Sequence, residues 1–478
     1  MYFCLNPISM KHFIFPIVAI MLLGCNTAKT GDTTTYFGGQ IINPKSDFVL
    51  LLKDDKVIDT LPINKSNKFI KSYNSINEGL YTFKHGTEFQ YVYFEPGDSI
   101  LIRLNTWDFD ESLVFSGKGS EKNEFLINFF LKNEKVEKEE KKLYQYFILD
   151  EFPFQQKIDS LTKERLRFYN DFSANAPEFS EGFKKLATTA LYFPMYRLKE
   201  MYPYYYKWAH ELDDFPKVSE TFYDFRNNIN LNEESLVSFY PYQNYVISYL
   251  YSLTYTDLPK GDKKGKITNK LLHTISENIE LESFKNTLLK RVVVNDFLTS
   301  ESTCSINTKT LALFEETCTN PEFVAQIKNL VNDSKLVANK NALHNFEITK
   351  YNNNDVLLIN DVIKNKNTVI YFWSTNFMSS EYLAKRIHYL EDKYPNILFV
   401  GINMQPDAPN LSKDYFLQQL NIDKQFKLTE NSFAHKFLAS KYPRTIIVDK
   451  NGIVENGFTY LASKKLHGEL KRIEKSNF

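Results

Sequence analysis

The sequence predicts an α+β multidomain chain with three folded parts: an N-terminal β-sandwich over 36–119, a helical middle over 120–340 and a C-terminal α/β domain over 341–478. Three observations predict it. Between Tyr36 and Ser116, apolar residues recur in short runs separated by turn chemistry at Asn43-Pro44, Asp54-Asp55, Glu78-Gly79 and Pro96-Gly97-Asp98. From Ser120 the period becomes helical and stays so for roughly 200 residues. From Asn341 continuous apolar runs, the mark of strands buried on both faces, alternate with helical spacing. At 478 residues and 43% hydrophobic composition the chain is long enough for several cores. Lys plus Arg (58) and Asp plus Glu (58) cancel, so nucleic acid is excluded as a partner class. Four Cys and 16 Gly exclude a disulfide-knit scaffold and a glycine-rich repeat.

The first element is an apolar run from Phe13 to Leu23 behind Lys11, shorter than the roughly 20 residues that span a bilayer, which predicts a signal peptide over 1–24. Its end, Leu22-Leu23-Gly24-Cys25, resembles the lipobox of bacterial lipoproteins. The resemblance implies that Cys25 is lipidated and becomes the mature first residue, with 25–35 as a polar tether and the membrane as a partner through the lipid anchor. Acyl chains contribute roughly 0.8 kcal/mol per buried methylene, so they hold a protein at a membrane without a spanning helix. The expected location is the cell envelope, facing the periplasm or the surface, at the outer membrane. Met10-Lys11 is a better start than Met1, which would leave Cys4 outside the protein.

In the second element, strands are expected at Phe48–Leu52, Lys68–Ile70, Leu80–Phe83, Gln90–Phe94 and Ser99–Ile102, at spacings typical of an antiparallel sandwich or barrel. The helical middle is crowded with aromatics at Leu191–Tyr196, at Tyr202–Tyr206 with Trp208, and at Phe239–Tyr242 leading to Tyr245, Tyr249 and Tyr251. Tyr242, Tyr245 and Tyr249 share one helix face, which serves either as core bulk, the commoner use, or as the floor of a groove for peptide or glycan. Leu258–Lys266 is expected to be an exposed loop, and its Gly-Lys pair lacks the spacing of a phosphate-binding loop. Cys304 and Cys318 leave two readings open: a disulfide worth about 3 kcal/mol in the chain-entropy account, or two buried thiols, which their helical surroundings favour. The eight histidines never pair at ligand spacing, so neither a metal nor a cofactor is expected.

The third element contains a buried strand Thr368–Trp373 and a helix marked by Leu383, Ile387, Leu390 and Tyr394. A second strand at Ile397–Ile402 and a hairpin from Arg444–Asp449 through Asn451-Gly452 follow. From Phe346 to about Ile473 this part resembles the thioredoxin-like domains of the TlpA/ResA type, membrane-tethered periplasmic thiol-disulfide oxidoreductases. The marks are Phe346-Glu-Ile348, Tyr371-Phe-Trp-Ser-Thr375 and Tyr442-Pro443-Arg444-Thr445. The resemblance implies a C-terminal thioredoxin-like α/β domain in which Pro443 faces the redox pair across a cis bond. Residues Gly38–Ile41, Phe94–Asp98 and Phe115–Ser120 resemble the β-rich domain of unknown function that precedes such modules in many bacterial lipoproteins.

The family reads Phe-Trp-Ala-Thr-Trp-Cys-x-x-Cys, and alignment through Phe372 and Trp373 sets Phe377 and Ser380 on the two cysteines. Disulfide exchange needs a thiolate and a resolving thiol, and no cysteine follows Cys318. No catalytic residue is therefore expected. The expected role is a non-catalytic peptide- or protein-binding module, with Phe377, Met378, Ser379, Ser380, Tyr442 and Pro443 as its degenerate site and groove, and with helix capping or polar surface as the plain role of Ser380. Two rivals stay open: a TlpA-type thiol-disulfide oxidoreductase, and an envelope ligand-binding or uptake accessory protein.

Overall fold

A computed structural model describes residues 34–138, 140–174, 178–256, 264–299, 308–375, 377–405, 410–440, 444–463 and 465–475. The signal peptide, Cys25 and Cys304 lie outside the described residues. The fold is a mixed α/β arrangement of several cores.

Eight strands come first: β1 (Thr35–Ile42), β2 (Phe48–Lys53), β3 (Lys56–Pro62), β4 (Lys68–Tyr73), β5 (Gly79–His85), β6 (Glu88–Phe94), β7 (Ser99–Asn105) and β8 (Val114–Ser116). They form two four-stranded sheets, ordered β4-β1-β7-β8 and β3-β2-β5-β6. Alternation decides which side chains meet between them: Ile100, Ile102 and Leu104 of β7 point inward with Phe37 and Ile41, against Leu51, Phe83, Val92 and Phe94 of the second sheet. Two corrections to the sequence reading follow: β1 pairs with β7 in parallel, and β1 already takes in Thr35 of the stretch read as tether. A parallel pair needs a long connection, which the intervening β2–β6 supplies.

The helices are α1 (Ser120–Lys138), α2 (Glu140–Phe147), α3 (Glu151–Ala174), α4 (Glu181–Ala209), α5 (Tyr240–Thr256), α6 (Lys264–Asn278), α7 (Glu282–Thr299), α8 (Thr308–Thr317) and α9 (Pro321–Leu336). Lys264–Lys266 thus opens α6 and is not part of a loop, while 257–263 lie outside the described residues. Ser180 caps α4 by accepting from Phe183 N, and Asn320 caps α9 with Pro321 in its first turn. Tyr202, Tyr242 and Tyr245 are buried as core bulk. The sandwich is tied on by tyrosine hydroxyls: Tyr91 Oη donates to Ser238 O at 3.1 Å and accepts from Tyr240 N at 3.0 Å.

The C-terminal part comprises β9 (Glu347–Lys350), β10 (Val356–Leu358), α10 (Ile359–Ile363), β11 (Thr368–Trp373), α11 (Ser380–Lys393), β12 (Leu398–Asn403), β13 (Gln425–Leu428), β14 (Arg444–Val448), β15 (Val454–Thr459) and α12 (Leu466–Lys475). Its sheet runs β10-β9-β13-β12-β11-β14-β15, with β11, β12 and β13 parallel and β14 and β15 antiparallel. Every residue of β11 is buried: Val369, Tyr371 and Trp373 face α11 and α12, while Ile370 and Phe372 face α10 and Phe437. Full burial of each such side chain contributes roughly 1.5–3 kcal/mol, which is why this run shows no polar alternation.

One ion pair joins this sheet to the helical middle. Asp333 of α9 and Arg444, the first residue of β14, have side chains with 0% exposure, and Arg444 Nη2 donates to Asp333 Oδ2 at 2.7 Å. The carboxylate also accepts from Ala439 N at 3.1 Å and Ser440 N at 2.9 Å, and the guanidinium lies 4.6 Å from the Phe458 ring centroid. Burial pushes the guanidinium pKa down, and Asp333 pulls it back up. Beside the pair, a Cβ on Gly457 would lie 1.7 Å from Val337 O, so only glycine lets β15 pass.

Removing one partner of such a pair strands the other in a dry site. Asp333→Ala is expected to destabilise the protein by about 3–5 kcal/mol in urea unfolding. Glu381→Ala, which breaks the exposed Lys385–Glu381 pair, should change stability by less than about 0.5 kcal/mol.

Candidate functional site

The turn from β11 into α11 carries the residues aligned with the cysteine pair. The chain leaves β11 and folds back at once: Ser374 O accepts from Phe377 N at 3.0 Å and from Met378 N at 3.2 Å. Gln405, from the loop after β12, fixes this turn, its Oε1 accepting from Thr375 N and Thr375 Oγ1, both at 3.1 Å. Gln405 is in turn oriented by Asn403, whose Oδ1 accepts from Gln405 N at 2.8 Å. Sequence reasoning missed Gln405, because nothing local in the chain signals that two strand ends meet.

The structure brings Phe377, Met378, Ser379 and Ser380 together at the helix start. Phe377 is 54% exposed. Met378 is half-buried against the core that holds Trp373 and Leu383. Ser379, and not Ser380, is the helix cap: its Oγ accepts from Tyr382 N at 3.2 Å. Ser380 is buried, so its expected capping role passes to its neighbour. Tyr442 and Pro443 lie outside the described residues.

Among the described residues the one sulfhydryl is Cys318, a free thiol at the end of α8, buried in the aromatic core of the helical middle. Burial pushes its pKa up, away from the thiolate that exchange chemistry requires. No group of three or more His, Cys, Asp or Glu able to hold a metal exists among the described residues.

The first turn of α11 meets the sandwich. Ser379, Ser380 and Glu381 share a polar cavity of about 250 Å³ with Lys45, Trp107 and Asp110. Glu88, Glu111 and Glu134 complete an acidic wall, so the positive end of the α11 dipole faces carboxylates of the same chain. Burial pushes the Asp110 carboxyl up to about 6; Gln90 Nε2, donating at 3.0 Å, opposes this, while Glu134, Glu88 and Glu111 add to it by repulsion. This meeting of the sandwich with α11 is not readable from the sequence.

No family model matches the chain, and no curated protein matches it. Solved structures do resemble part of it. The thioredoxin domain of a thiol-disulfide oxidoreductase from Bacteroides vulgatus is 18% identical, covering 28% of this chain and 96% of that one, with a TM-score of 0.22. A thiol:disulfide interchange protein from Bacteroides sp. is 19% identical over 25% of this chain and 80% of that one, TM-score 0.20. A secreted disulfide oxidoreductase of Mycobacterium tuberculosis is 16% identical over 26% of this chain and 94% of that one, TM-score 0.20. A likeness of this size assigns no activity. No helix among the described residues is long and apolar enough to cross a membrane.

Two outcomes test the site's physics. Ser379→Ala is expected to lower stability by about 1 kcal/mol in chemical denaturation, the ordinary loss of an N-cap. The folded protein holds the Asp110 proton more tightly than an unfolded chain, whose carboxyl returns to 3.8, so this residue adds stability as pH falls through 6 and removes it as pH rises. Asp110→Asn should therefore stabilise the protein at pH 7 by about 1 kcal/mol after solvent screening, and by less at pH 5, as read from thermal melts at both values.

Proposed function

We propose that the chain is an envelope lipoprotein, anchored through Cys25 at the outer membrane and facing the periplasm or the surface, whose C-terminal thioredoxin-like domain is a redox-inactive peptide- or protein-binding module. The observation that carries this reading is the α11 start, where an exposed benzyl group (Phe377) and a buried alcohol (Ser380) stand where exchange chemistry needs two sulfurs. A serine hydroxyl has no thiolate-like form near neutral pH, and Phe377 can neither attack a disulfide nor resolve one. What Phe377 offers is apolar area on a turn held in place by Gln405. Such an anchor beside an exposed backbone suits an extended polypeptide, with Met378, Tyr442 and Pro443 completing the contact set.

In the presence of dithiothreitol the full chain should reduce insulin disulfides no faster than dithiothreitol alone; turnover abolished by Cys304→Ser would overturn the reading. Crosslinking from the native envelope should capture a polypeptide whose recovery falls about tenfold with Phe377→Asp, and full recovery with a folded variant would sink the binding role. Cys25→Ser should move the protein from the membrane fraction to the soluble one.

A further inference from the structure

The helical middle encloses a cavity of about 500 Å³, well away from the α11 turn, between α4, α5, α6 and α7. Its size falls within the roughly 300–1,000 Å³ of small-molecule sites. Pro203 lies inside α4 and lines the cavity; it has no N–H to give the preceding turn, so one backbone hydrogen bond is missing there while the helix continues. Part of the tyrosine crowding seen in the sequence is thus core, and part faces this space.

The charge on the walls is balanced. Three ionisable acids and bases line the cavity: Arg197, Glu200 and Asp296. Glu200 is held by Arg226, whose Nε donates to Oε1 at 2.9 Å while Nη2 bonds Oε2. Asp296 accepts from Thr268 Oγ1 at 2.9 Å. With Glu200 neutralised by Arg226, which stands behind the lining, one arginine and one carboxylate, Arg197 and Asp296, remain on the walls, so a ligand with a net charge would be desolvated without compensation.

The rest of the lining combines flat aromatic faces with hydroxyl groups. Tyr204 stacks on Tyr255 at 4.9 Å and 28°, Tyr251 stacks on Tyr255 at 6.0 Å and 21°, and Tyr204 is 42% exposed. Ser248, Ser252, Thr256 and Asn295 add short polar side chains. Ser252 Oγ already accepts from Arg226 Nη2 at 3.1 Å and Thr256 Oγ1 already donates to Ser252 O at 2.9 Å, which leaves the Ser252 hydroxyl a donor and the Thr256 hydroxyl an acceptor, so a ligand with one apolar ring face and several hydroxyls matches both kinds of wall. We propose that this cavity binds a small uncharged sugar, its ring face against the outer face of the stack that Tyr204, Tyr255 and Tyr251 form and its hydroxyls on the serine, threonine and asparagine groups.

This assignment stands apart from the reading of the C-terminal domain, and the test keeps them separate. Glucose, galactose, N-acetylglucosamine, maltose and cellobiose are titrated into the full chain by calorimetry, with glucuronate and glucosamine as charged counterparts and indole as the apolar probe. At least one neutral sugar should bind with a Kd of about 1 mM or tighter. Tyr204→Ala and Tyr255→Ala should each weaken it about tenfold, as loss of an aromatic face predicts, with melting curves reporting that the variants stay folded. Tyr204 is the decisive position should Tyr255→Ala unfold the protein, because its ring is already at the surface, and Phe377→Asp should leave the affinity unchanged. Absence of binding by every neutral sugar, tighter binding of glucuronate, glucosamine or indole, or an affinity indifferent to Tyr204→Ala would overturn the proposal.

Discussion

The buried pair of Asp333 and Arg444 is the constraint on which the rest of the arrangement depends. Two charges taken wholly out of water are tolerated only when each finds several partners, and here the carboxylate gathers Ala439 N, Ser440 N and the guanidinium, while the guanidinium rests on Phe458. Arg444 begins β14, which pairs with β11, and β11 ends at the turn that presents Phe377. The pair thus fixes the register between α9 and the strand next to the candidate site. Apolar packing alone would tolerate sliding along that seam.

The positive end of a helix dipole is a device for holding a thiolate, and here it points at Glu88, Glu111 and Glu134 with no sulfur between. The turn nevertheless keeps its scaffold: the Ser379 cap, the Ser374 carbonyl that accepts from two amides, and Gln405 reaching over from β12. These contacts hold the backbone of the turn in one geometry.

The legible parts of the sequence were those whose signal is local. β11 was plain because six consecutive buried residues leave no polar position, and α11 because Leu383, Ile387 and Leu390 repeat on one face. β3 was missed for the opposite reason: it is an edge strand in which Leu61 is the one buried side chain, so it shows no alternation. β13, with four residues, is too short to register. The tyrosine runs were visible, but whether Tyr242 would be core and Tyr204 a cavity wall depended on the angle between α4 and α5, which no periodicity carries. Likewise the cap moved by one residue from Ser380 to Ser379, since both could begin the helix and burial of one side chain chose between them. Asp110 and Ser379, more than two hundred residues apart, line one cavity only because the tertiary fold sets α11 against the sandwich.

The close passage of Gly457 beneath the Val337 carbonyl fixes where the chain can be divided. From Lys340 to Leu343 the backbone bonds along β15, Lys340 N to Val454 O at 2.7 Å and Leu343 N to Gly452 O at 2.9 Å. Excision at residue 341 would tear off part of that ladder and carry Arg444 away from its carboxylate, turning a buried, charge-matched seam into an exposed cationic one. The piece that can be transplanted with its wiring intact therefore starts upstream of α9, near Asn320, and inherits a helix that sequence periodicity assigns to its neighbour.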